Sequence, residues 1–409
     1  MERRAKLGKS LRGFMSLQIF LQGKLFGVED FMLASLAESS SESVPQPCAP
    51  ESGESESGHA FTGRSHWVSL LSEVLPRALL AELGLARILL GSSGGGQFLL
   101  LLPEEFRTQA DEFLNKAAAE IAALSHDHLR LIWASTENLG DWSDVRKRLT
   151  EDLDARRGAP AAQGFFATPS SSATDAAAYF AETLGSNFRT AESVGWSPEA
   201  PGRVSVNTGK HTWPLAGPES IPFARHAAPG EDASASVDVL AARATGEKSW
   251  GVLRGDVDHF GIRLRRAASI EEHIQLSVMY KQFFAGELEM LCSQPEFWQR
   301  VSIVFAGGDD FAVYGSWDAL IGLAREMERL FRRFVEAALR DFAGPEGKTI
   351  TMALALAPAD DASLGSVFEE AGHRLEAAKT SDKDCFWLLG RTLEWKQFGE
   401  AASLKDLLS

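Results

Sequence analysis

The sequence predicts an α+β chain that contains one βαββαβ unit twice. Three observations carry that reading. Val301–Tyr314, VSIVFAGGDDFAVY, sets two apolar runs around Gly307, Gly308, Asp309 and Asp310, the pattern of a β-hairpin with a glycine turn. Ala86–Leu102, ARILLGSSGGGQFLLLL, has the same form with serines and glycines in place of the acids. Around each hairpin, segments of helical and strand periodicity follow in the same order.

The first unit is expected at residues 1–135. Its opening, MERRAKLGKSLRGFMSLQIFLQG, is basic and then apolar, as in a signal peptide. Arg12, Ser16, Gln18 and Gln22 interrupt the apolar run and no small-residue cleavage site follows, so the stretch reads as a first strand. Residues 36–58 carry five glutamates among Ser, Pro and Gly; that composition predicts a disordered acidic insertion. Then come a helix over Ser65–Leu83, a strand over Ala86–Gly91 and a turn over Ser92–Gln97. A strand over Phe98–Leu102, a helix over Pro103–Leu124 and a strand over Leu129–Ala134 complete the unit.

Residues 136–248 are expected to form a helical and irregular connector. Helical patterns centre on Trp142–Arg157 and Thr174–Ala191, and a Pro/Gly-rich stretch follows at 196–235. The second unit, 249–409, repeats the order. A strand over Ser249–Asp258 leads to a helix over Ser269–Cys292 and then to the Val301–Tyr314 hairpin. A helix over Trp317–Phe342, a strand over Thr349–Ala357, a helix over Leu364–Lys379 and a strand over Cys385–Leu389 close it. Strand–helix–strand–strand–helix–strand is the ferredoxin-like unit.

Composition excludes several classes. A net charge of −15 over 409 residues argues against a free-standing, non-specific nucleic-acid binder. No apolar run reaches membrane-spanning length. Cys48, Cys292 and Cys385 are odd in number and far apart, so neither a disulfide framework nor a cysteine zinc cluster is indicated, and a reducing cytoplasm fits.

The chemistry points to the second hairpin. Two like charges at ~4 Å repel by roughly 4 kcal/mol at an effective dielectric of ~20, so paired aspartates at a tip need a reason. Asx residues are ordinary in turns, and a structural turn is the alternative. A right-handed crossover brings the end of the first strand, with Asp256, beside this turn. Asp256, Asp309 and Asp310 then form a hard oxygen-ligand set for Mg2+ or Mn2+. Asp258 stands between two roles, a metal ligand or an acceptor for backbone groups past the strand. Glycines at the tip allow positive φ and close approach of a ligand. The acid-free first hairpin offers backbone N–H groups to a phosphate or base, or is a plain turn. Phe283, Phe284, Phe297 and Trp298 read as core residues, and His126–Asp127 as a solvated helix–strand junction.

Five segments, GVLRGDVDHFG (251–261), AGGDDF (306–311), GRSHWVSLLSEV (63–74), SGGGQFLLLLP (93–103) and LLGRTLEWKQF (388–398), resemble the large palm-domain subunit of type III CRISPR effector complexes, which makes cyclic oligoadenylates. The resemblance implies two palm domains with ATP bound between them, chemistry in the second palm and activation by target RNA. It implies catalytic and metal-binding roles for Asp256, Asp309 and Asp310, and close-approach roles for Gly307 and Gly308. Ser93, Gly94, Gly95 and Gly96 match the opposing ATP-contacting turn, and Lys379 or Lys383 the phosphate-binding lysine. The partners implied are ATP, other subunits of the ribonucleoprotein and, through them, guide and target RNA, with no membrane.

Departures from the family are visible too. There is no room for its HD nuclease domain, no cysteine at 135–250 where a zinc site is common, and His259 replaces an asparagine. A reduced member that does not cut DNA is expected. A stand-alone nucleotide cyclase of related fold and a non-catalytic scaffold subunit are the alternatives.

Overall fold

The computed structural model describes residues 17–34, 53–158, 173–231, 234–358, 362–381 and 383–400. In the first half, β1 (Gln18–Phe26) leads through α1 (Val28–Leu33) to α2 (Gly53–Glu82), β2 (Leu90–Gly94), β3 (Gln97–Pro103), α3 (Arg107–Leu124) and β4 (Arg130–Glu137). The strands lie in the order β2-β3-β1-β4, and every neighbouring pair is antiparallel.

The connecting region holds α4 (Trp142–Gly158), α5 (Ala173–Ala178) and a small sheet of β5 (Ser193–Trp196), β6 (Ser205–Val206) and β7 (His211–Pro214). That sheet falls at and within the stretch expected to be irregular. Its strands are only two to four residues long, too short for an alternating pattern to register. α6 (Val237–Ala242) follows.

In the second half, β8 (Trp250–Val257), α7 (Phe260–Arg265), α8 (Ile270–Gln282) and α9 (Leu288–Cys292) precede the hairpin of β9 (Val301–Ala306) and β10 (Asp310–Ser316). A π-helical turn at Phe283–Glu287 joins α8 to α9. α10 (Trp317–Ala338), β11 (Ile350–Leu356), α11 (Leu364–Ser381), β12 (Cys385–Leu388) and β13 (Arg391–Glu394) complete the chain. The sheet order is β13-β12-β11-β8-β10-β9. Its β11-β8-β10-β9 part repeats the arrangement of the first sheet, and β12 adds to β11 in parallel.

Several boundaries differ from the sequence reading. The strand expected over Ala86–Gly91 opens as a 3-10 turn at Arg87–Leu89, and β2 begins only at Leu90. Residues 53–58 of the expected disordered insertion open α2, twelve residues before the predicted helix start; residues 36–52 lie outside the described residues. Ser and Glu are acceptable helix formers, so composition read as disorder concealed a helix start. The expected turn Ser92–Gln97 is shorter than predicted. Gly94 pairs with Gln97, leaving Gly95 and Gly96 as a two-residue loop. Their φ of +58° and +71° fit the type I′ turn that favours glycine.

The two halves share a core. Phe20, Leu99 and Ile132 of the first sheet pack in one cluster with Leu253, Phe284 and Phe311 of the second. Phe283, Phe284 and Phe297 are buried as expected, while Trp298 is exposed. His126 and Asp127 form an exposed turn, both with positive φ. Among the described residues, no helix is long and apolar enough to cross a membrane.

Candidate active site

The two hairpins meet tip to tip. A Cβ placed on Gly95 would lie 3.5 Å from the backbone nitrogen of Gly308. A cavity of about 300 Å3 opens here, lined by Gly94, Gly95 and Gly96 on one side and by Gly307, Asp309 and Asp310 on the other. Arg254, Lys281, Glu29 and Glu73 add charge to its wall, and Phe223, Phe305 and Phe368 add aromatic surface.

Register places the acids. Asp256 on β8 is paired with Asp310 on β10 and with Thr351 on β11. The N–H of Val257 donates to the Asp309 carbonyl at 2.9 Å, which ties the GGDD turn to the end of β8. Asp256 stands beside the cavity wall, where Lys379 Nζ lies 2.5 Å from its Oδ1. Burial, with repulsion from Asp310 and Asp256, holds the Asp309 carboxyl well above the usual range. Burial and Asp256 push Asp310 up to about 6. Burial also raises Asp256, against the pull of Lys379.

The glycines of this turn work differently from expectation. Neither Gly307 nor Gly308 has positive φ. A Cβ on Gly307 would sit 2.1 Å from Asp310 Oδ1, whereas one on Gly308 would meet nothing within 4 Å. Gly307 therefore makes room for the Asp310 carboxylate, and Gly308 leaves the cleft open.

Asp258 resolves to the second of its two roles. Its side chain is 1% exposed. The hydroxyls of Thr349 and Thr351 each donate to it at 2.8 Å, and the Asp384 N–H donates at 3.0 Å. Every contact is structural.

Ser93 is held behind its turn rather than in the cavity wall. Its hydroxyl donates to Glu73 Oε2 at 2.9 Å and accepts from Lys281 Nζ at 3.2 Å. Lys383 is exposed beyond α11, so of the two candidate lysines only Lys379 reaches an acid of the site.

Sequence reading missed Arg254, Glu73 and Lys281. Arg254 stacks on Phe368 at 4.3 Å and reaches Glu29 at 3.5 Å. A lone charge within the apolar run WGVLRG was its available signal. For Glu73 the signal was an acid among Leu70, Leu71 and Val74, with Arg77 one turn on. Burial pushes Glu73 up, but Lys281 and Arg77 together hold it below its ordinary value.

Among the described residues, no three Asp, Glu, His or Cys side chains already converge as a metal cage. The donor set still fits a hard divalent cation. It is all oxygen, destabilised by mutual repulsion, and Asp256 already carries an ammonium as counter-charge.

Comparison with known proteins agrees with this architecture. Residues 249–387 match the family model described as Cas10/Cmr2, second palm domain. That stretch is similar to the second palm domain of Cas10-type proteins. A Cas10/Csm1 deoxyribonuclease of subtype III-A from Methanocaldococcus jannaschii is 34% identical over 104 residues, 22% of this chain and 13% of the relative. One from Enterococcus italicus is 28% identical over 165 residues, 39% of this chain and 20% of the relative. The crystal structure of an apo Csm1–Csm4 cassette superposes with a TM-score of 0.72 at 18% identity, covering 95% of this chain and 58% of that one. The chain thus spans little more than half of that structure's chain, and its matches cover a fifth or less of these curated relatives. The resemblance to the type III palm-domain subunit expected from the sequence holds.

Proposed function

We propose that the chain is the palm-domain subunit of a type III CRISPR RNA-guided effector complex and joins ATP into cyclic oligoadenylates. The observation that carries this reading is the cavity with a glycine turn on one face and an aspartate-bearing turn on the other. Csm1–Csm4 structures of the same fold hold one ATP in one case and cA3 in another. Each half is read as a ferredoxin-like palm, with boundaries near 135 and 249 and the GGDD site in the second.

In this reading the 3′-hydroxyl of one nucleotide attacks the α-phosphate of another, and pyrophosphate leaves. Asp256, Asp309 and Asp310 would hold Mg2+ or Mn2+, which supplies charge neutralisation at the phosphate and lowers the hydroxyl pKa. Lys379 meets the triphosphate as a point charge. Gly308 leaves the donor room at the strand end, Gly307 makes room for the Asp310 carboxylate, and Gly94–Gly96 offer backbone N–H groups to the acceptor. Target RNA bound by the assembled cytoplasmic complex switches the reaction on, with guide RNA and neighbouring subunits as partners.

A scaffold reading is favoured by one observation, that Lys379 already neutralises Asp256. Incubation with ATP and Mg2+, with and without partner subunits and target RNA, followed by mass analysis of products, decides between the two. Cyclic oligoadenylates lost on changing Asp309 and Asp310 are the expected result. Their absence under every condition overturns the catalytic reading.

A further inference from the structure

Glu73 belongs to α2 of the first half and Lys281 to α8 of the second, and neither touches the GGDD turn. Lys281 Nζ lies 2.5 Å from Glu73 Oε1. Arg77 Nη1 closes on Glu73 Oε2 at 2.7 Å, and the Ser93 hydroxyl bridges both partners. Glu73 is 3% exposed and the Lys281 side chain 13%.

This node sits directly under the first glycine turn. A Cβ on Gly94 would lie 3.4 Å from Lys281 Cδ and 3.5 Å from Glu73 Oε1. The next residue, Gly95, is the one that faces Gly308. Two other polar cross-half contacts lie elsewhere on the seam. Arg254 meets Glu29, which is mostly exposed, and the Ser65 hydroxyl donates to the Val304 carbonyl.

A buried ion pair adds little net stability compared with apolar groups of the same volume, and its best-attested use is to fix register. We infer that Glu73 and Lys281 are positioning residues that set the spacing between the two glycine turns, and hence between the two nucleotides to be joined. This rests on the proposed reaction. If it holds, the pair acts on the joining step.

The test uses the full chain. Gly95→Cys and Gly308→Cys are introduced with Cys48→Ser, and the rate of disulfide closure under a mild oxidant reports the gap. The strain of a side chain at the left-handed Gly95 is common to both backgrounds and cancels. With the node intact, closure is rapid. With Glu73→Gln and Lys281→Met together, we expect closure at least tenfold slower while the protein keeps its folded circular dichroism spectrum and a cooperative unfolding transition. Equal closure rates overturn the inference.

In the preparation where the wild type joins ATP, without the cysteine changes, the double variant loses at least tenfold in kcat. Lys281→Arg restores most of that loss. An unchanged kcat, or no recovery with arginine, also overturns it. If the wild type joins no ATP in any preparation, the functional reading fails, and the cross-linking rates still judge the node.

Discussion

Lys379 Nζ lies 2.5 Å from Asp256 Oδ1, so an ammonium from α11 occupies the carboxylate at the end of β8. A divalent cation at Asp256 competes with it for the carboxylate's charge. Lys379→Gln is therefore expected to tighten Mn2+ binding several-fold in the absence of nucleotide. The same change weakens ATP affinity about tenfold, or ~1.4 kcal/mol, through the lost phosphate contact. Titration of Mn2+ by electron paramagnetic resonance, with and without ATP, checks both. Unchanged Mn2+ affinity means that the lysine does not compete for the site.

The acids oppose the folded state when no cation is present. Asp309→Asn with Asp310→Asn should abolish oligoadenylate formation and leave the fold intact. It should also raise the melting temperature of the metal-free protein by a few degrees. Calorimetry and product analysis on one preparation test the two together; wild-type turnover in the variant would place the chemistry elsewhere.

Stability should also fall as pH rises through the range of this cluster. Burial and Asp256 push Asp310 up to about 6 in the folded chain, against about 3.8 for the unfolded chain. Between these values the folded state binds more protons, so stability declines with increasing pH. Its contribution is fully present below about pH 4 and lost by about pH 6.5. Melting curves from pH 4 to 7, compared with Asp310→Asn, isolate this slope; an identical slope in the variant refutes the assignment.

Gly307 and Gly308 should respond oppositely to one methyl group. Gly308→Ala meets open space and should cost under ~0.5 kcal/mol of stability. Gly307→Ala drives a Cβ into the Asp310 carboxylate and should weaken Mn2+ binding by about tenfold or more, or ~1.4 kcal/mol. Urea unfolding and Mn2+ titration of both variants decide it, and equal behaviour would show that the turn relaxes freely.

Asp258 and Asp256 lie two residues apart and should fail in different ways. Asp258→Ala leaves the Thr349 and Thr351 hydroxyls and the Asp384 N–H without their acceptor. A loss of about 3 kcal/mol follows, visible as a lower urea midpoint. Asp256→Ala should unfold at nearly the wild-type midpoint and lose metal binding.

Much of this was legible from residue pattern. The strands around both hairpins and helices α3, α10 and α11 follow apolar periodicity, so their order came from sequence. Asp256 was placed beside the GGDD turn by the crossover rule, and register confirms the neighbourhood. The start of α2 was hidden because Ser- and Glu-rich sequence serves a solvated loop and a helix end equally well. The Glu73–Lys281 pair was beyond reach. It joins residues from different halves, and the apolar run around Glu73 does not name its partner until the opposing helix is placed.

The parallel addition of β12 to β11 governs how the second sheet ends. At one side, the outer groups of β9 are already taken: the Ile303 N–H donates to the His226 carbonyl, and the Val304 carbonyl accepts from Ser65. At the other, β12 covers β11, and the sheet terminates in β13, four residues long with Arg391 and Glu394 exposed. A short, charged last strand is a poor template for another chain. The sheet that carries the acids thus resists edge-to-edge aggregation, and Thr351 on β11 is kept from water while it holds Asp258.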